Sequence, residues 1–170
     1  DTKTRTNLNR GIESTTTVCR NEWKYVADLV LDLDPALPAV DCHPGEMNQA
    51  ILNLVINAAH AIGDIVKEGN AKGRITIRTR QVEDGVQIEV EDTGPGIPDA
   101  IRPHIFDPFF TTKPVGKGTG QGLAIVHSVV VEKHGGSIEV QTEPGRGTKF
   151  ILRLPMGGGM RYEIPGSVRR

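Results

Sequence analysis

One stretch of this chain dictates much of what surrounds it. Residues 44–66 carry a helical repeat. On a wheel of about 100° per residue, Met47, Ile51, Leu54, Val55, Ala58 and Ile62 fall together, and Leu52, Ile56 and Ala59 widen the apolar arc past half the circumference. Gln49, Asn53, Asn57 and His60 crowd into one narrow stripe. A helix apolar around most of its surface is a buried helix, so the rest of the fold must wrap it. Carboxamides beside a core need partners, and the stripe is expected to face a polar cavity. Either the amides bond to neighbouring loops, or the stripe lines a ligand or hard-cation site, since an Asn carbonyl oxygen suits Mg²⁺.

The covering layer is legible as strands. Residues 74–80 alternate with Ile75, Ile77 and Thr79 on one side, and residues 86–91 alternate with Val86, Ile88 and Val90 on one side. Asp84-Gly85 between them predicts a hairpin. Residues 25–33 read as a strand ended by Asp34-Pro35, and residues 137–141 and 148–154 as two more, joined by a turn at Glu143-Pro144-Gly145. Residues 7–21 form a weak helix of mixed polarity, and residues 121–133 a second good helix, closed by Gly135-Gly136. One-sided alternation predicts a mixed, mostly antiparallel sheet with one wet face. Three helices on the other face give an α/β (α+β) two-layer sandwich. The expected organisation is one domain over residues 1–155 and a flexible tail or linker over 156–170.

Composition removes several function classes. Twenty basic and 21 acidic residues leave a net charge of −1, with no basic stripe, so no nucleic-acid partner is expected. The run from Leu123 to Val131 is too short for a bilayer, the first ten residues are polar, and the domain is expected outside any membrane. Cys19 and Cys42 have no metal-ligand spacing and imply no disulfide framework, so a reducing cytoplasm is the default expectation for the domain, with a membrane-anchored parent protein left open. A start at Asp1 fits a segment of something longer.

Two side chains sit on the unexpected side of their strands. Asp92 ends the apolar row of Val86, Ile88 and Val90, and is therefore aimed inward, where an ionised carboxylate without donors is costly. It either caps the turn Thr93-Gly94-Pro95-Gly96-Ile97 or accepts from a ligand amino group such as that of adenine. Thr148 likewise shares a face with Phe150, Leu152 and Leu154. A third feature is the run Gly116-Lys117-Gly118-Thr119-Gly120-Gln121-Gly122, just before a helix. Its backbone amides suit phosphate oxygens, yet it matches neither the P-loop nor the dinucleotide pattern, and a plain linker is the alternative.

Taken in order, Asn53-Leu-Val-Ile-Asn57-Ala, Asp92-Thr-Gly94-Pro-Gly96-Ile, Phe106-Asp-Pro-Phe109-Phe110-Thr-Thr-Lys113, Gly118-Thr-Gly120-Gln-Gly122-Leu and Gly145-Arg-Gly147-Thr148 closely resemble the asparagine, first glycine, phenylalanine, second glycine and third glycine boxes of sensor histidine kinases. The match covers about residues 25–155. The resemblance implies a Bergerat-type fold holding ATP and Mg²⁺. By it, Asp92 accepts from the adenine amine, Gly94, Gly96 and Ile97 shape that side of the pocket, and Thr148 helps through a water. Asn57 ligates Mg²⁺, supported by Asn53. Gly118, Thr119, Gly120, Gly122 and Leu123 meet the phosphates, with Lys113 and His60 as further phosphate contacts. Residues 98–119 form a lid anchored by Phe106, Phe109 and Phe110. Gln121 departs mildly from the pattern, standing where a hydrophobic residue is more usual.

The implied reaction is phosphoryl transfer to a histidine. In such kinases the acceptor is followed by an acidic residue. Here His43 precedes Pro, His60 Ala, His104 Ile, His127 Ser and His134 Gly, so the acceptor is expected upstream, on a dimerisation domain, with a response regulator receiver domain as the next partner. An ATPase clamp of the gyrase type would carry a glutamate where Asn53 stands, and an amide cannot act as a general base. Related serine or ketoacid-dehydrogenase kinases are a further reading, and a non-catalytic docking module is the reading of another class, against which Asp92, Asn57 and the glycine boxes argue.

Overall fold

In the computed structural model, which describes residues 2–67, 69, 71–108, 110 and 122–156, the segment that reads as the dominant helix is one. Helix α3 spans Pro44–Val66. Pro44 occupies its first turn, where a missing N–H costs nothing. Before it come β1 (Thr4–Thr6), α1 (Leu8–Val18), the short α2 (Arg20–Trp23), β2 (Ala27–Asp32) and β3 (Val40–Cys42). After it come β4 (Gly73–Val82), β5 (Gly85–Asp92), α4 (Gly122–His127, continuing as wider π-type turns over Ser128–Lys133), β6 (Ser137–Glu143) and β7 (Gly147–Pro155).

The main sheet has the order β2-β4-β5-β7-β6. Only β2–β4 is parallel; the other pairs are antiparallel. This is the mixed, mostly antiparallel sheet that one-sided alternation predicts. Its inner face presents Ile75, Ile77, Val86, Ile88, Val90 and Leu152, none more than 2% exposed. Met47, Ile51, Leu54, Val55, Ala58 and Ile62 of α3 press on it, each large aliphatic side chain stabilising by about 1.5–3 kcal/mol. Helix α1 adds Leu8 and Ile12, and α4 with its continuation adds Val126, Val129 and Val130. By length and composition α3 could cross a membrane, but its apolar arc is spent on this core.

Four local departures are instructive. The weak helix over 7–21 is α1 followed by α2, broken at Cys19; Asn7 caps α1 by accepting from the Arg10 N–H at 3.1 Å. The short strands β1 and β3, which pair with each other, are too brief to leave a periodic signal. In the β4–β5 hairpin the turn is Glu83-Asp84, because Val82 and Gly85 are already paired. Gly85 serves another purpose: a Cβ there would strike the Leu154 carbonyl, so the glycine lets β7 approach. Finally, Gln87 lies on the outer face as expected, yet is 2% exposed. Arg153 Nε donates to its Oε1 at 3.0 Å, and its Nε2 donates to Glu89 at 2.8 Å. The outer face buries polar groups by pairing them.

Candidate functional site

Asp92 ends β5 and Thr148 lies directly opposite it on β7. Both point to the inner face and both are buried, 6% and 7% exposed. The carboxylate Oδ1 accepts the Gly94 N–H at 2.8 Å, and the Thr148 N–H also favours its ionised form. No cation among the described residues offsets the burial, which pushes the Asp92 carboxyl up to about 6. A carboxylate offers roughly four lone-pair directions, and these two amides leave capacity unspent.

The loop after Asp92 is held tightly. Thr93 exchanges two bonds with Arg74, its N–H to the Arg74 carbonyl at 3.2 Å and its Oγ1 from the Arg74 N–H at 2.9 Å. Gly94 has no room for a side chain: a Cβ would stand 2.9 Å from Asp92 Oδ1 and 3.0 Å from Ala61 Cβ. Gly96 has φ 80° and is backed by the Glu143 carbonyl. The β6–β7 connection is a tight turn closed by Arg146 N–H to Glu143 O at 2.9 Å, with Pro144 followed by Gly145 at φ 82°, the residue pair a type II turn favours. Gly145 N–H reaches the Pro95 carbonyl at 2.7 Å. Loop 93–97 and turn 143–147 thus form one wall.

The opposing wall is the stripe of α3. Gln49 Nε2 donates to Asn53 Oδ1 at 3.0 Å, and Asn53 Nδ2 reaches the Gly122 carbonyl at 3.4 Å. Asn53 therefore ties α3 to the start of α4. One turn on, the half-buried Asn57 carboxamide has no hydrogen bond among the described residues. One turn further, Ala61 abuts Gly94, so α3 meets the Asp92 loop one turn past Asn57. His60 is exposed on the same helix. Leu123 packs on the core at the start of α4.

Phe106 lies against Phe150 and His127, with ring centroids 6.3 and 5.5 Å apart, and Phe110 tilts over His104. Of the three phenylalanines expected to anchor a lid, these two lie among the described residues. Phe109, Lys113, Gly118, Thr119, Gly120 and Gln121 lie outside the described residues, as does the tail after Met156. Sequence reasoning missed Ala61, Thr93 and Thr142. Ala61 and Thr142 carried a signal: Ala61 follows Asn57 by four residues on the stripe, and Thr142 follows Ile138 and Val140 in the inward row of β6.

A buried acid with spare acceptor capacity faces an amide-bearing helix across glycine-built loops, in a two-layer sandwich with a mixed sheet. That combination defines an ATP-binding domain of the Bergerat type. The chain belongs to the family of histidine kinase-, DNA gyrase B- and HSP90-like ATPases, whose family model matches residues 42–158. It is 39% identical over 136 residues to the sensor histidine kinase ZraS of Klebsiella oxytoca, an alignment covering 79% of this chain and 27% of that protein. The chain thus spans about a quarter of that relative's length. The catalytic domain of histidine kinase ThkA, solved nucleotide-free, superposes with a TM-score of 0.77 at 30% identity, covering 91% of this chain and 95% of that one. ThkA has also been solved in complex with the response regulator TrrA; that kinase chain matches at 28% identity and a TM-score of 0.74, covering 91% of this chain and 42% of ThkA.

Both implied ligands fit the residues present. The Asp92 carboxylate can take a further N–H donor. The Asn57 side-chain oxygen is a hard neutral ligand of the kind Mg²⁺ accepts. No cluster of His, Cys, Asp or Glu among the described residues could hold a metal by itself.

Proposed function

We propose that this domain binds ATP with Mg²⁺ and presents the γ-phosphoryl group to a histidine on helices of the same parent kinase, from which a response regulator receiver domain then takes it. The observation that carries this reading is Asp92, a carboxylate buried at a strand end with backbone amides as its partners and lone pairs to spare. In this reading Asp92 accepts from the adenine amino group, with Gly94, Gly96 and Ile97 forming the adjoining surface and Thr148 beside it. Asn57 supplies the oxygen that holds Mg²⁺, and Asn53 keeps α3 and α4 in register. Mg²⁺, when bound, neutralises charge on the phosphates. Gly118, Thr119, Gly120, Gly122 and Leu123 would flank the phosphate chain, with Lys113 and His60 contributing positive or polar contacts.

What the chain's own residues supply is positioning and charge placement. The base is gripped at the sheet end, and the stripe of α3 sets where the phosphates lie. Asp92, the acidic group of the site among the described residues, is committed to the base. Asn53, which stands where a clamp would carry its glutamate, has both ends of its amide engaged, and an amide cannot take a proton from water. This supports a kinase whose nucleophile comes from another segment over an ATPase clamp. ThkA bound to TrrA is the precedent for the regulator partner, and a cytoplasmic setting follows from the need for ATP.

The test is to join the domain to its native upstream helices and add γ-labelled ATP. The expected product carries label on histidine, stable in base and lost in acid. Label released only as inorganic phosphate, with none on protein, would overturn the kinase reading in favour of the clamp.

A further inference from the structure

Thr142 of β6 lies opposite Thr148 of β7, and its hydroxyl holds three groups at once. It accepts the Ile97 N–H at 2.8 Å. It lies 3.1 Å from the Gly147 carbonyl, to which it can donate, and 3.0 Å from Thr148 Oγ1. A hydroxyl has one proton and two acceptor directions. A carbonyl cannot donate, so the contact with Gly147 takes the Thr142 proton. Both acceptor directions are then filled, by the Ile97 N–H and by the Thr148 hydroxyl. Thr148 has spent its own proton in the process, and only lone pairs remain for the pocket.

We propose that Thr142 is a positioning residue that fixes the polarity of Thr148, making it an acceptor toward the bound base. This rests on the reading of Asp92 and Thr148 as the base-binding wall. Asp92 is Thr148's neighbour across the strands and is also an acceptor, so the wall offers two acceptors side by side. A purine bearing an amino group at position 6 brings a pair of N–H donors to that wall. A 6-oxo purine brings a carbonyl oxygen, which neither group can satisfy, and an unpaired buried polar group is the strongest basis for rejection. Thr142 also joins the loop after Asp92 to the turn before Thr148, so the same hydroxyl sets both position and selectivity.

The experiment measures dissociation constants of ATP and inosine triphosphate, both with Mg²⁺, for the wild-type domain and for Thr142→Val, Thr142→Ser and Thr148→Val. Valine keeps the shape of threonine and deletes the hydroxyl, leaving Thr148 able to turn its proton to a 6-oxo group. The expected result is a fall in the preference for ATP of about tenfold in Thr142→Val, most of it as improved inosine triphosphate binding relative to ATP, with Thr142→Ser restoring the wild-type ratio. In a Thr148→Val background the Thr142→Val change should leave the ratio within about twofold. Equal weakening of both nucleotides in folded Thr142→Val, or failure of serine to restore the ratio, would show a merely structural threonine and overturn the proposal. Should Thr142→Val not fold, Thr142→Ser against Thr142→Asn supplies the same comparison, asparagine being able to donate to Thr148. Failure of the wild-type domain to bind ATP is a different outcome: it would remove the base-binding reading itself.

Discussion

The two ends of α3 each hold a buried titratable group, and they differ in one respect. At the N-terminal end His134, 5% exposed, is closed on both sides. Its Nε2 accepts the His43 N–H at 3.0 Å, and its Nδ1 donates to the Val129 carbonyl at 2.7 Å in the widened turns after α4. Lys133 bonds Glu46 at 2.6 Å beside it. Farther along the helix, Asp92 has backbone donors on one side and unspent lone pairs on the other, and Asn57 of the facing stripe has no hydrogen bond among the described residues. Burial moves both groups from their ordinary values, Asp92 up and His134 down. A perturbed group is therefore a poor marker of a site taken alone. Spare hydrogen-bonding capacity is the better one: the histidine cluster is complete without a ligand, and the aspartate end is not.

Four substitutions and one pH titration test that distinction. The largest effect is expected at the open end. Asp92→Asn should weaken ATP binding by about 30-fold or more in calorimetry, the scale of a bond to a charged group, while the domain stays folded. Binding within threefold of wild type would refute it. Affinity of the wild-type domain should also fall as pH is lowered through about 6, the value to which burial raises this carboxyl. Because that value stands above the ordinary 3.8, the folded, nucleotide-free domain binds the proton more readily than the unfolded chain. This term therefore adds stability at low pH and loses it as pH rises through about 6.

Asn57→Ala should cost about tenfold in ATP affinity with Mg²⁺ present and almost nothing with a chelator. An equal loss in both conditions would remove the metal assignment. At the closed end the expectation reverses. His134→Ala should leave nucleotide affinity unchanged but destabilise by about 2–4 kcal/mol in denaturant unfolding, through a cavity and an orphaned His43 N–H. The lowered His134 value makes its stabilising term complete above pH 6.5, the ordinary histidine value, and lost as pH falls below it. A change in ATP affinity would mean that the two ends communicate. The smallest effect is expected on the outer face. There Arg78 meets Glu91 at 2.7 Å and Glu89 at 3.4 Å, with its side chain 39% exposed. Arg78→Ala should cost less than about 1 kcal/mol and leave binding untouched.

The sequence made the fold legible where one periodic signal dominated. Residues 44–66 match α3 end to end because apolar spacing, Pro44 and the amide stripe all agree. Strands β4, β5, β6 and β7 were readable from alternation, and the inward placement of Asp92 and Thr148 followed from counting by twos. Counting by twos along β6 would also have found Thr142, a third inward hydroxyl. What escaped was non-local. Gly85 resembles a turn residue, and only the nearness of the Leu154 carbonyl explains it. Gln87 looks exposed until Arg153, distant in sequence, closes over it. His134 bonds to His43 across 91 positions, and no spacing rule reaches that far.

The apolar arc of α3 has a consequence during synthesis. The helix leaves the ribosome before β4, β5 and β7, the strands that will cover it, and at about 5–20 residues per second it waits several seconds for the last of them. In that interval the nascent chain carries a stretch oily enough to be drawn into a lipid bilayer or into another unfinished polypeptide. Gln49, Asn53 and Asn57 interrupt it, and polar side chains of this kind penalise insertion. The row of amides that includes the proposed magnesium ligand Asn57 thus also works against membrane insertion of the newborn helix.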